Sequence, residues 1–295
     1  MNKEQLILKL KKLSFFEGNI ELDLIEGFMT NYNYLVFHNN NKYVLKFGNY
    51  SEHYGVIRSH EIEASKAGHK AGISPAVIYS DNEIIIFNYI KSNYLTPEKI
   101  REKITLKKIV NLIKVVHNEV TKYLENPNME NNIFQLINKR IIKLKKSNSP
   151  YIESLKNYIN DYEFFKKKFE QHEKVFTHND FFYKNILDDG KRLWLVDWEY
   201  SGFNPPFLDL ANLSKNNELS TDDDNFILEA YCGDLVDSSS IYQFYALKCV
   251  SLLNELLWSM ISEIFSKKVF DYKSYTDKIN NKYNKEMKYF KGLKI

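Results

Sequence analysis

The sequence predicts an α+β chain in two lobes, a small N-terminal antiparallel-sheet lobe with one helix, followed by a larger and mainly helical lobe. Three observations predict it. Short β-branched or alternating runs separated by turn signals fill residues 1–90. From about Thr96 the texture changes to long stretches with helical apolar periodicity. A chain of 295 residues is also long enough for two lobes that each bury a core.

The first pair of strands is expected in "YNYLVFHN" and "NKYVLKFG", joined by "NNN" as a hairpin turn. A helix follows in "RSHEIEASKAGHKAGI", where Ala64, Ala67 and Ala71 recur at three- and four-residue spacing beside Ile62 and Gly72 marks the C-terminal end. "AVIYSDNEIIIFNYI" supplies two more strands around an Asp81-Asn82 turn, and the boundary between lobes is placed in "FNYIKSNYL", residues 87–95. Units of 1–90 and 91–295 result. In the second, "ITLKKIVNLIKVVHNEV" sets Ile109, Leu112, Ile113 and Val116 on one helical face. The helical texture breaks once, between 175 and 197, where "VFTHND", "KNILDDG" and "RLWLVDWE" read as short strands around a loop. No internal repeat occurs, and the Lys/Asn-rich stretches at 143–149 and 278–288 read as solvated helix surface or connecting loops.

Composition narrows the function classes. Hydrophobic residues at 44% and charged residues at 27% indicate a soluble globular protein. A net charge of +3 from 41 basic and 38 acidic residues is too balanced for the electrostatic footprint of a nucleic-acid binder. Arg58, Arg101, Arg140 and Arg192 are the only arginines, so no arginine cluster is available for phosphate recognition. Cys232 and Cys249 have no metal-site or disulfide-framework spacing and fit buried positions in a reducing cytoplasm. "MNKEQLILKLKKLSFF" lacks a signal-peptide core, and no run of about 18 apolar residues is read anywhere, so no secretion and no membrane span are expected.

The chemistry concentrates in one loop. His178, Asp180 and Asn185 spell H-x-D-x-x-x-x-N, and Asp197 follows twelve residues after Asn185 behind the apolar run "LWLV". Asp and Asn taken singly are common caps and turn formers. The four together, flanked by strands that let both acids converge, point to phosphoryl transfer. That chemistry needs one carboxylate to receive or orient the acceptor proton, plus a second carboxylate and an amide oxygen to hold Mg²⁺ against nucleotide phosphates. His178 reads as a buried scaffold that bonds the loop. Upstream, "GFMTNYNYLV" offers backbone N–H groups from Gly27 to Asn31 to phosphates, Lys46 lies in "YVLKFG", and Glu61 or Glu63 of the following helix is placed to pair with it.

The chain resembles the choline/ethanolamine kinase and aminoglycoside phosphotransferase family, of protein-kinase-like fold, and is most similar to bacterial choline kinases. The resemblance is carried by "GFMTNYNYLV", "YVLKFG", "HEIEASKAGHKAGISPAVIY", "FTHNDFFYKNIL", "LVDWEYSGFNPPFLDLANLS" and "LLWSM", in family order over roughly residues 25 to 261. It implies ATP- and Mg²⁺-dependent phosphorylation of the choline hydroxyl. Asp180 would be the base, Asn185 and Asp197 the metal ligands, and Lys46 the α- and β-phosphate contact with Glu61 as its partner. Thr30 and Asn31 match the loop near the phosphates, the backbone from Asn88 to Ile90 the adenine hinge, Glu199 an acidic position near the metal, and Asp209 a structural acid bracing the loop. Trp258 matches one wall of the choline pocket, with Tyr200 nearby.

Two positions depart from the eukaryotic pattern. Glu255 replaces a second tryptophan, which either favours a primary amine such as ethanolamine or adds charge attraction for choline. Asn216 replaces an acidic residue, with Glu218 close by. Ethanolamine and aminoglycosides are the alternative acceptors. For a polycation the run "TDDDN" at 221–225 would contribute carboxylates, unless it caps a helix. A nucleotide-binding module without catalysis is the alternative of another class. A protein-serine kinase fits least, since no G-x-G-x-x-G, D-F-G or A-P-E signature is present.

Overall fold

The computed structural model describes residues 3–26, 31–48, 54–126, 132–147, 149–169, 171–266 and 269–293. The N-terminal lobe runs α1 (Lys3–Leu10), β1 (Ile20–Ile25), β2 (Tyr32–His38), β3 (Asn41–Phe47), α2 (Arg58–Lys70), β4 (Val77–Ser80) and β5 (Ile84–Asn88). Its sheet is antiparallel in the order β1-β2-β3-β5-β4. Asn39 and Asn40 turn the β2-β3 hairpin with φ of 47° and 61°, left-handed values that asparagine tolerates and that suit the strand twist. One sheet face joins Leu6, Leu10, Phe16, Leu22, Val36, Leu45 and Ile86 in a small core. Neighbours along a strand point to opposite faces, so Leu45 in that core sends Lys46 to the other side.

On that side lies α2. Its buried stripe runs through Glu61, Ala64, Ser65 and Gly68, and the Ile62 expected there is only partly covered. Small residues on this stripe let the large lobe come close. A Cβ on Gly68 would lie 2.7 Å from both the Trp198 ring and Ser74 Oγ. Ala64 and Ala67 belong to the same apolar cluster as Trp198 and the large-lobe helices, so α2 fastens Glu61 relative to residues near 197.

The larger lobe continues with β6 (Asn93–Tyr94), α3 (Pro97–Ile100), α4 (Lys103–Asn118), α5 (Ile133–Lys146), α6 (Ile152–Phe169), β7 (Val175–Thr177), β8 (Ile186–Asp188), β9 (Leu193–Leu195), β10 (Gly202–Asn204), α7 (Phe207–Asn216), α8 (Thr221–Cys232), α9 (Ser238–Phe265) and α10 (Tyr272–Gly292). The α4 face of Ile109, Leu112, Ile113 and Val116 is buried as its periodicity requires. Two short antiparallel sheets, β10-β7 and β6-β8-β9, frame the segment carrying the H-x-D-x-x-x-x-N residues. The acidic run at 221–225 begins α8: Ser220 and Asp223 form a reciprocal cap, and Asp224 points inward to Lys248 at 2.8 Å.

Helix α9 is the one helix among the described residues with the length and apolar composition of a membrane span, although Lys248, Glu255 and Glu263 interrupt its apolar run. With 83% of its apolar window buried inside the protein, it is the central core helix on which α5, α7 and α10 pack.

Candidate active site

Two cavities adjoin at Asn185 and Asp197, the first between the lobes and the second within the larger lobe. The first, about 210 Å³, is lined mainly by apolar groups of the small lobe, by the 88–90 segment and by Lys46. The second, about 590 Å³, opens between α5, α7, α9 and α10 and is lined by Asp180, Glu199, Tyr200, Glu255 and Trp258. Asn185 and Asp197 line both. Asn88 and Ile90 face the first cavity.

The loop after β7 is held from below. Buried Asp209, in the first turn of α7, accepts backbone N–H bonds from His178 at 2.9 Å and Asn179 at 2.8 Å, and its Oδ2 pairs with His117 Nε2 at 3.1 Å. These bonds hold Asn179 at φ 67°, which turns the chain toward the cleft at Asp180. Fully buried His178 bonds Val196 O through Nε2 at 3.0 Å. Burial lowers its pKa to about 4, so the ring is neutral and tethers the loop to the strand before Asp197.

Asp180 has both carboxylate oxygens engaged by amides. Asn185 Nδ2 donates to Oδ2 at 2.7 Å and Asn216 Nδ2 to Oδ1 at 3.1 Å. Burial first and the Asp197 charge second push its pKa up to about 7, against the lowering effect of Lys215. A carboxylate so poised suits proton transfer near neutral pH.

Lys46 reaches across from β3. Its ammonium lies 2.5 Å from Glu61, 2.5 Å from Asp197 and 3.0 Å from Glu199. Burial alone would lower its pKa, but the charges of Asp197, Glu199 and Glu61 raise it well above the usual lysine value, so it stays cationic. Of the two candidate partners, Glu61 holds the lysine and is itself bonded by Arg58 at 3.0 Å, whereas Glu63 accepts from Asn126 N. Asn31 donates to Glu199 at 2.7 Å. Thr30 lies outside the described residues. Asp197 adopts φ 70°, a left-handed conformation unusual for a non-glycine residue.

Oxygen donors of Glu61, Asp197 and Glu199 lie within 4.8 Å of one another. The Asn185 amide spends Nδ2 on Asp180, which leaves Oδ1 as a donor oxygen. Hard carboxylate and amide oxygens grouped in this way suit Mg²⁺.

Trp258, which lines the second cavity, packs among Tyr54, Tyr272 and Tyr275, with ring centroids at 5.9, 6.2 and 6.2 Å, and of these Tyr275 lines the cavity with it. Tyr200 lies under the Arg140 guanidinium at 5.9 Å. Glu255 sits one turn before Trp258 and is engaged by Lys215 and Tyr275. Glu218 is bonded by Lys282, so it stands in the rim as part of an ion pair.

The sequence profile of choline/ethanolamine kinases matches residues 22–231. The chain belongs to the choline/ethanolamine kinase family. Protein LicA of Haemophilus influenzae is 26% identical over 215 residues, an alignment covering 70% of this chain and 61% of the relative, less than two thirds of its length. Among solved structures, choline kinase LicA from Streptococcus pneumoniae superposes with a TM-score of 0.78 at 24% identity over 99% of each chain. A choline/ethanolamine kinase family protein from Mesorhizobium loti gives 0.77 at 23% identity, covering 97% of this chain and 95% of that one. These likenesses establish the two-lobed, protein-kinase-like fold.

Sequence reasoning missed several residues that this family member brings to the cleft. Lys215 directly follows the quoted "LDLANLS" segment, and that adjacency was the one signal for it. Asn216 was seen as a departure, not as a partner of Asp180. Tyr275, Arg140 and His117 arrive from helices distant in sequence, and no local spacing announces them.

Proposed function

We propose that the chain transfers the γ-phosphoryl group of ATP to the hydroxyl of choline, giving phosphocholine and ADP, in an Mg²⁺-dependent reaction in the cytoplasm. Residues 1–90 would serve the nucleotide, and residues 91–295 would supply the catalytic groups and the acceptor site. One observation carries the reading. Asn185 and Asp197 line both cavities, so a nucleotide in the smaller one and an alcohol in the larger one would meet at these residues, between Lys46 and Asp180.

The smaller cavity, apolar and edged by Asn88 and Ile90, suits an adenine ring, with Lys46 toward the phosphates and Asn31 held to Glu199 nearby. Asn185 and Asp197, with Glu199 alongside, would hold Mg²⁺, whose charge offsets that of the phosphate oxygens when bound. Asp180 orients the acceptor hydroxyl and takes its proton as the oxygen bonds to the γ-phosphorus and the bond to the β–γ bridging oxygen breaks. Lys46 neutralises charge on the departing diphosphate. At the far end of the acceptor, Trp258, Tyr275 and Tyr200 offer aromatic faces to a trimethylammonium group, each worth about 0.5 to 2 kcal/mol. The two cysteines are unpaired, as suits a reducing compartment.

The test is turnover of choline, ethanolamine and kanamycin with ATP and Mg²⁺, followed by ADP release in a coupled assay. Choline should be the best acceptor. Release of ADP with kanamycin alone, or with none of the three, would remove the proposal.

A further inference from the structure

Three helices meet the acceptor cavity at one point. Lys215 lies in the last turn of α7, Glu255 and Trp258 lie one turn apart on α9, and Tyr275 lies in the first turn of α10. All four line the cavity. Lys215 Nζ donates to Glu255 Oε2, and the Tyr275 hydroxyl donates to Oε1. The Tyr275 ring in turn packs edge-on against Trp258, at 6.2 Å and 82°. The pair is well shielded, with 9% of the Lys215 side chain and 19% of the Glu255 side chain exposed. Burial opposes ionisation of Glu255, yet the Lys215 charge and hydrogen bond hold its carboxyl below the ordinary value.

A carboxylate placed here would treat two kinds of cationic head group differently. A primary ammonium carries three N–H donors, and in a desolvated pocket each needs an acceptor. A quaternary ammonium has no N–H and is held by aromatic faces. We propose that Lys215 is a specificity-determining residue: together with Tyr275 it occupies Glu255, withholds the acceptor a primary ammonium requires, and leaves the aromatic wall to quaternary amino alcohols. The inference rests on the reading that this cavity takes an amino alcohol. It also distinguishes between the two effects expected of Glu255, because a carboxylate already paired with an ammonium brings no net charge to the cavity and accepts a further donor less readily.

The experiment compares kcat/KM for ethanolamine and choline in wild type, Lys215→Met, Tyr275→Phe and the double variant Lys215→Met/Glu255→Gln. Lys215→Met should raise the ethanolamine-to-choline ratio about tenfold or more. Tyr275→Phe should raise it less, and the double variant should return it toward wild type. The ratio cancels any effect common to both substrates, including the influence of Lys215 on Asp180, so a purely structural role would leave it unmoved. An unchanged or lowered ratio in Lys215→Met overturns the assignment, and if that variant does not fold, an unchanged ratio in Tyr275→Phe does so. Wild-type protein that turns over neither amine overturns the parent reading, a result distinct from active enzyme with an unaltered ratio.

Discussion

Asn216 donates its side-chain amide to Asp180 Oδ1 at 3.1 Å. With Asn185 on the other oxygen, the carboxylate is fixed between two amides. Asn216→Ala removes one of them and leaves the nucleotide cavity intact. We expect kcat to fall about tenfold, equivalent to about 1.4 kcal/mol, with the Michaelis constant for ATP unchanged in steady-state kinetics.

Asp180 and Asp197 should separate cleanly by mutation. Of the two cavities Asp180 lines only the larger, whereas Asp197 lines both and touches Lys46. Asp180→Ala should lower turnover by about 10²- to 10⁴-fold, the range for proton-transfer assistance, while calorimetry still registers ATP. Asp197→Ala should weaken Mg²⁺-dependent ATP binding in the same measurement.

Gly68 has no room for a side chain, since its Cβ would lie 2.7 Å from Trp198, a fully packed ring. Gly68→Ala therefore forces α2 away from the large lobe, against any gain in helix propensity. Urea unfolding should show a loss of about 1 to 3 kcal/mol, and Lys46 should bind ATP less well because Glu61 rides on the same helix. Full stability in the variant would mean that the interface between α2 and Trp198 is looser than described.

His178 makes stability depend on pH. Its pKa falls from an ordinary 6.5 to about 4 in the fold, so between these values the unfolded chain binds the extra proton and the folded one does not. The histidine's own part of the unfolding free energy therefore rises with pH across the window and is lost as pH drops from about 6.5 toward 4, up to about 3 kcal/mol, while the raised carboxyl of Asp180 works in the opposite direction over the same range. Urea titrations at pH 7 and pH 5 should show the histidine as a difference between proteins: the step to pH 5 should cost wild type about 2 kcal/mol more than it costs His178→Gln.

The parts of the fold that sequence made legible are those with local periodicity. Alternation placed Lys46 on a strand, helical spacing placed Glu61 on the next helix, and a loop of fixed offsets carried Asp180 and Asn185. Strand β1 carries the same alternation, with Glu21 and Asp23 between Ile20, Leu22 and Leu24. Helix α1 gave too short a pattern. The wall of the larger cavity was least legible: the resemblance pointed to Glu255 and Trp258, but Lys215 and Tyr275 reach Glu255 only through packing of α7, α9 and α10, and each reads singly as ordinary helix surface.

The most direct measurement is ³¹P NMR of ATP, Mg²⁺ and choline incubated with the protein. The account predicts a phosphocholine resonance growing in step with ADP and absent with Asp180→Ala. ADP accompanied by inorganic phosphate and no phosphocholine would contradict it.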